Sequence, residues 1–321
     1  ELQTNFGNGN SIKNQLYYTN YDFELYSNFT FFLNNDVDGD QIKQKEKRNL
    51  FGYNSTYTNI AYLGNKRFTS EAGIGVRMDK TKDNELSRTK DRNIVIQPVK
   101  LGDIAETNSS IWLNETIRWN ERFSINTGLR WDRFDVSYKD KLDNVKVSKE
   151  KASIVSPKLN FYYQLNDKTQ LILTTGKGFH SNDTRVVVQT GGTEILPAAY
   201  GADLGVVLKP TTNMLLQGAI WYLKLDQEFV YVGDEGIVEP SGKSQRLGLD
   251  VSLRYQPVKW LFFDADANYC DSRAIEEMKG HDRIPLAPVF TSTGGITYKS
   301  QMGLNAAIRY RYMSDRPANE D

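Results

Sequence analysis

The chain has 321 residues, with 40 Lys plus Arg against 40 Asp plus Glu, 39% apolar residues and a mean hydropathy of −0.56. The charge balance leaves no basic face for nucleic acid and no acidic tail, and the lack of any run of about eighteen apolar residues excludes helical membrane spans. A single cysteine, Cys270, forbids an internal disulfide, and no shift in composition marks a linker or second domain.

Taken in order, the chain reads as nearly all strand. The opening ELQTNFGNGN starts in mid-pattern, without a signal peptide. Residues 13–33 alternate, with Phe23, Leu25, Ser27, Phe29 and Phe31 on one face and Asp22, Glu24, Tyr26, Asn28 and Thr30 on the other. A polar loop follows, then strands near 49–63 and 67–79 around Gly64-Asn65-Lys66. The charged segment Lys80 to Thr107 is expected to be the largest loop. Strands near 109–119 and 123–138 flank Asn120-Glu121-Arg122, with Phe123, Ile125, Thr127, Leu129 and Trp131 on the apolar face. After a lysine- and aspartate-rich loop, 139–151, strands near 153–165 and 169–179 flank Asn166-Asp167-Lys168. A loop to about Ala198 precedes strands near 200–209 and 214–232, separated by Pro210-Thr211-Thr212-Asn213.

Residues 243–270 carry the clearest signal. Leu247, Leu249, Val251, Leu253 and Tyr255 alternate with Arg246, Gly248, Asp250, Ser252 and Arg254. Across the turn Gln256-Pro257-Val258-Lys259, the apolar set Leu261, Phe263, Ala265, Ala267 and Tyr269 alternates with Phe262, Asp264, Asp266 and Asn268. The loop 271–287 and strands near 289–299 and 302–313 complete about thirteen strands. Tight turns recur roughly every 45 residues, each interval holding two strands and one long polar loop. Tall strands, short turns at one end and long loops at the other are the layout of an antiparallel up-and-down transmembrane barrel. A propeller with a similar period needs four short strands per blade and a Trp-Asp signature, which is missing here.

The run Gly176-Lys177-Gly178-Phe179-His180-Ser181-Asn182-Asp183-Thr184-Arg185 resembles a motif in the barrel of TonB-dependent outer-membrane receptors. Similar stretches follow in order: Leu196-Pro197-Ala198-Ala199, Tyr231-Val232-Gly233-Asp234-Glu235-Gly236, Arg283-Ile284-Pro285-Leu286-Ala287-Pro288 and Arg309-Tyr310-Arg311-Tyr312. The resemblance runs from about Asn14 onward. It implies a 22-stranded barrel around an N-terminal plug, importing a metal chelate such as a siderophore, a cofactor or an oligosaccharide. It also implies outer-membrane lipid, the TonB system and an accessory surface lipoprotein as partners. The strand count and the lack of a plug-like segment point to the middle-to-late part of such a receptor, one barrel domain over 1–321. A passive channel or structural barrel is the alternative. No cofactor is expected.

His180, Ser181 and Asp183 are the ingredients of a hydrolytic site, but neighbours on an extended chain point to opposite faces. They read as a loop base, with Gly176 and Gly178 easing backbone crowding. Asn35-Asp36-Val37-Asp38-Gly39-Asp40 loosely matches the start of a calcium loop, yet the twelfth position from Asp36 is Lys47, so a solvated turn is the better reading. His180 and His281 suggest no metal cluster. Charges on a lipid face cost about 2–4 kcal/mol at the midplane. Lys224, Asp226, Glu228, Arg246, Asp250, Arg254, Asp264, Asp266, Arg309 and Arg311 are therefore expected to face inward as lumen wall, plug contact or ligand path. Loops 80–107, 180–198 and 271–287 are the expected ligand contacts. Tyr17, Tyr18, Tyr62, Trp119, Trp260, Tyr298 and Tyr312 read as interfacial girdle.

Overall fold

The computed structural model describes all residues except 144–146, 191–194, 228, 233–236, 241 and 318–321. Its main element is one antiparallel sheet of 14 strands in which sequence neighbours are hydrogen-bonded neighbours. In chain order the strands are β1 (Leu2–Gly7), β2 (Asn10–Ser27), β3 (Ile42–Leu63), β4 (Lys66–Lys90), β5 (Ile94–Arg118), β6 (Phe123–Asp140), β7 (Val147–Asn166) and β8 (Thr169–Phe179). A short helix, α1 (Thr184–Thr190), comes before β9 (Ala198–Leu208) and β10 (Met214–Leu225). A separate two-stranded ribbon, β11 (Phe229–Val232) with β12 (Ile237–Pro240), leads to β13 (Ser244–Val258), β14 (Leu261–Ala274), β15 (Phe290–Lys299) and β16 (Asn305–Met313).

Paired residues share a face, so the register assigns every side chain. One face carries a continuous exposed apolar ladder: Ile74, Ile111, Trp131 and Val155 lie in one row. Leu173, Leu204, Ile220, Leu249 and Tyr269 form another. Ile111, Leu204 and Ile220 are each more than half exposed, a cost that a soluble sheet face would not carry and a lipid-facing one does not pay. The opposite face carries α1 and the cross-strand pairs Arg48–Asp79 and Arg254–Asp266. There, aromatic rings lie across strand glycines: Tyr17 over Gly52, Trp112 over Gly73, Tyr138 over Gly102 and Trp221 over Gly248. A Cβ at any of these glycines would collide with the ring, so each missing side chain makes room for a cross-strand aromatic.

The hairpin of 243–270 forms with both faces as expected, the strands reaching further and a bulge falling between Tyr255 and Val258. Other expectations need correction. The first strand ends at Ser27, and Phe29 and Phe31 lie in the loop beyond it, Phe31 at φ 58°. Phe23 and Leu25 pair with Glu46 and Gln44 on the charged face, so the apolar side of β2 is carried instead by Leu16 and Tyr18. Tyr17 also lies on the inner face and is no girdle residue. Segment 80–107 is not a loop: β4 and β5 continue through it and turn at 91–93, with Asp91 and Arg92 at positive φ. Where both faces are wet, no apolar alternation marks a strand, but backbone pairing continues regardless. The expected strand 214–232 ends at Leu225, and a strand at 2–7 went unread.

The face assignment has a direct test. Leu249→Arg and Phe263→Arg place a cation on the lipid side and should cost up to about 2–4 kcal/mol, the figure for the midplane, with Phe263 nearer the short turn costing less. Asp266→Asn loosens an exposed pair worth less than about 1 kcal/mol. Heat-modifiable migration after membrane assembly should fall for the first two and stay at wild-type level for the third; equal folding of all three would refute the faces.

Candidate functional site

The inner face carries two clusters. The upper one is built where the chain after β8 turns inward. Phe179 packs edge-on against Phe134 at 5.8 Å. Beyond it, Val187, Ile195, Leu196 and Ala198 bury themselves against Val136 and Ile154 of the wall. Asn182 is buried, its amide donating to the Ile195 carbonyl at 3.0 Å and its side chain to Gln227 at 3.0 Å. Polar ties surround this small core. Thr184 donates to Glu106, and Arg185 reaches Asp183 at 2.9 and 3.2 Å and Asn84 at 2.9 Å. Asn84 donates in turn to Glu46 at 3.2 Å. Below them, buried Asp79 accepts from Arg48 at 2.8 Å and from Arg77 at 3.1 Å. Asp132, also buried, accepts from Arg130 at 2.7 and 2.8 Å and from Asn108 at 3.2 Å. A cleft of about 260 Å³ remains between Arg48, Asp79, Glu106, Ser181, Asp183 and Arg185.

The residues of the motif at 176–185 are thus brought together as an anchor. His180 and Ser181 are exposed while Asn182 and Thr184 are buried. Gly178 has open space around it and Gly176 only ordinary contact, so neither relieves crowding and that expectation fails. For Asp183, burial opposes ionisation, but the Arg185 guanidinium outweighs it and holds the carboxyl below its ordinary value. Sequence reading missed Arg48, Arg77, Asp79, Glu106, Arg130 and Asp132. Of these, only Glu106 falls in the expected loop 80–107 and Arg48 in the expected polar loop before β3; the other four lie in expected strands, where alternation gives the face but not the cross-strand partner.

The lower cluster lies on β13, β14 and β16 near the short turns. Arg254 donates to Asp266 at 2.9 Å, Arg309 pairs with Asp264, and Asn268 donates to Asp250. All six share the inner face, as does Arg311 opposite Thr293. An open hollow of about 1140 Å³ reaches from Arg254, Asp264 and Arg309 to the turn at 210–213. Arg246 sits higher on the same face and donates to Ser244 at 3.3 Å. Lys224 does not join them. It pairs with Tyr200 and Gln245 in the row next to Tyr222, on the outer face, because β10 keeps its alternation up to Leu225. Asp226 follows the strand end, its amide donating to Ala198 at 2.9 Å; Glu228 and positions 233–236 of the family-like stretch lie outside the described residues.

The loop at 35–40 closes on itself. Asp40 takes the amides of Asn34 and Asn35 at 3.0 and 2.9 Å, Asn35 takes those of Val37 and Asp38, and Lys90 pairs with Asp38 at 2.8 Å. Those oxygens serve turn and ion pair. Among the described residues no group of three His, Cys, Asp or Glu side chains is placed to hold a metal.

A family model described as TonB dependent receptor-like, beta-barrel matches residues 1–321. The chain is similar to the ferric citrate transporter FecA in its unliganded form, at 16% identity and a TM-score of 0.83, covering 99% of this chain and 48% of FecA. It is also similar to BauA, the ferric preacinetobactin receptor from Acinetobacter baumannii, at 10% identity and a TM-score of 0.79, covering 99% and 52%. The copper transporter OprC gives 14% identity and a TM-score of 0.74, covering 97% and 50%. At such identities the likeness shows the fold, and this chain spans about half the length of those structures. No curated protein sequence matches it.

Two outcomes test the upper cluster. Asp79→Ala strands two arginines and removes hydrogen bonds to charged groups, worth about 1.5–3 kcal/mol each at most; unfolding in urea should register a loss on the order of 2 kcal/mol. A carboxyl whose folded pKa is depressed stabilises above its unfolded value, and that contribution is lost as pH falls through the folded one. Amide exchange of residues 181–190, corrected for intrinsic rate, should therefore stay slow at neutral pH and begin to rise only as pH drops through the ordinary Asp value of 3.8. Asp183→Asn should abolish that acid step.

Proposed function

Because the chain belongs to the TonB-dependent receptor β-barrel family, whose barrels sit in the Gram-negative outer membrane, we propose that it forms wall of an energy-coupled importer for a scarce ligand. The match of one family model to all 321 residues carries this reading. A metal chelate of the siderophore type is the ligand class favoured here, supported by the ferric-chelate ligands of FecA and BauA; a cofactor or an oligosaccharide is the wider class. Residues 1–321 act as one barrel domain. The apolar ladder holds it in lipid while the opposite face lines a wet lumen.

In this reading the two clusters have different duties. The lower one, Asp250, Arg254, Asp264, Asp266, Arg309 and Arg311, meets a plug near the short-turn end, where the hollow of about 1140 Å³ supports the contact. Arg254 and Asp266, and Arg309 and Asp264, are matched across strands, while Asp250 accepts from Asn268 and Arg311 stands opposite Thr293. The upper one, with Asp183 and Arg185, fixes the inward segment of residues 180–190 and 195–198 at the mouth, while Arg246 lines the wall beside Ser244. Ligand contacts come from that segment, the tall β4–β5 hairpin and the chain after β14. Energy arrives from TonB acting on the plug, and a surface lipoprotein covers the extracellular end. No bond is made or broken in the ligand.

The intact receptor should accumulate radiolabelled ferric siderophore in iron-starved cells. Accumulation should stop when the proton-motive force is collapsed or TonB is removed. Transport that continues after either treatment would instead establish a passive channel.

A further inference from the structure

We propose that residues 94–100 of β5 form an open strand edge at the tip of the tall β4–β5 hairpin, and that this edge takes up an extended peptide segment, apolar with acidic flanks, by strand addition. β5 has 25 residues, Ile94–Arg118, more than twice the nine to eleven or so that cross a bilayer, so its upper end stands clear of the hydrocarbon. The register leaves that end open on one side. β4 and β5 pair up to Lys90 and Ile94, whereas β5 and β6 pair only up to Gly102 and Asp140. One further bond, from the Lys141 amide to the Leu101 carbonyl at 2.9 Å, closes the β6 side, and the Lys141 ammonium turns back to Asp83 and Asp103. Among the described residues, 94–100 therefore pair on the β4 side alone. The opposite flank of the hairpin is covered by the β2–β3 connection. There Thr89 donates its amide to the Gln41 carbonyl at 2.8 Å and its hydroxyl to the Gln41 side chain at 3.1 Å. Arg92 donates its amide to the same side chain at 2.9 Å, Lys90 pairs with Asp38 at 2.8 Å, and Ser87 and Thr89 are buried.

The side chains fit the same occupant. Every residue from Asp91 to Val99 is exposed, among them the apolar Ile94, Val95, Ile96 and Val99. No acyl chain reaches them at that height, so their exposure to water marks a contact surface. Arg88, Arg92 and Lys100 surround them and form no ion pair among the described residues, and Asp91 is the only acid between Arg88 and Lys100. In strand addition the backbone groups supply affinity and the side chains selectivity, so this rim selects a segment with acidic flanks. Pro98 has no amide to give, and the register shifts between Leu86 and Ser87 and between Arg88 and Thr89 break the edge into short runs. Both features oppose open-ended pairing between copies, which favours a short peptide over a second copy of the chain. The inference depends on the register of β4 to β6 and not on the importer reading.

The test titrates the intact receptor in detergent micelles with a fluorescein-labelled, end-blocked peptide of alternating valine and threonine flanked by glutamates. Fluorescence anisotropy should show saturable binding that weakens in high salt. The same peptide N-methylated throughout, which has lost its main-chain donors, and a lysine-flanked peptide should each bind roughly tenfold more weakly or worse. Bound peptide should slow amide exchange within 94–100 by roughly tenfold or more and leave the rest of β5 unchanged. Ile94→Asp/Ile96→Asp and Arg88→Gln/Arg92→Gln should each lose roughly tenfold in affinity while keeping wild-type heat-modifiable migration. Should either variant not fold, the exchange pattern and the two control peptides on the wild type decide. Equal binding of the N-methylated peptide, protection outside 94–100, or no binding at millimolar peptide would overturn the assignment. A dimer in detergent with those amides already protected would overturn it too, giving the edge to a second copy.

Discussion

Inside a bilayer a backbone amide has no water to turn to, so each strand must be satisfied by its neighbour. The consequences run through the structure. Each strand of the main sheet pairs with the next strand of that sheet along the chain, β10 reaching β13 past the separate β11–β12 ribbon, so topology follows from connectivity. Parity of position then becomes parity of face, and a residue's neighbours across three or four strands can be read from the ladder alone. Ile74, Ile111, Trp131 and Val155 come from four strands and form one row for this reason.

The same constraint sorts energy into two kinds. Outside, side chains need only be apolar, and their shapes matter little because lipid conforms to them. Inside, the wall faces water and must still be rigid. It achieves this by placing rings over glycines and by pairing carboxylates with guanidiniums between neighbouring strands, as at Arg48–Asp79 and Arg254–Asp266. Among the described residues, the apolar core on that side, around Val136, Ile154 and Val187, exists because the segment after β8 folds back onto the wall. That segment is held against the wall by the buried core and by Asn182, Thr184 and Arg185.

Chemistry at the ends of the strands differs again. Lys66 sits over Trp119 at 3.3 Å and Trp260 packs edge-on with Tyr298 at 5.5 Å beside the short turns, where ring and cation share the boundary between lipid and water. At the opposite end of β3 and β4 the outer face carries lysines and carboxylates, Lys47 opposite Lys82 and Lys45 between Glu24 and Glu85, with Tyr26 opposite Lys43.

Much of this was legible in the chain itself. From Leu247 to Tyr269 one face is apolar and the other carries Arg254, Asp264 and Asp266, because lipid on one side and water on the other impose opposite demands on alternate residues. That contrast vanished wherever both sides were wet: the upper halves of β4 and β5 looked like a charged loop, and the Phe23–Leu25 row looked lipid-facing. Lys224 looked lumenal because charge was taken to mean inward, although above the hydrocarbon a cation is equally at home outside. The strand period, the two-faced hairpins, the short turns and the family-like motif at 176–185 were determined by sequence. Which residues meet across strands, that Asp79 receives two arginines, and that the motif folds inward onto Val136 and Ile154 were decided only by tertiary structure, because registers and loop docking depend on partners tens of residues away.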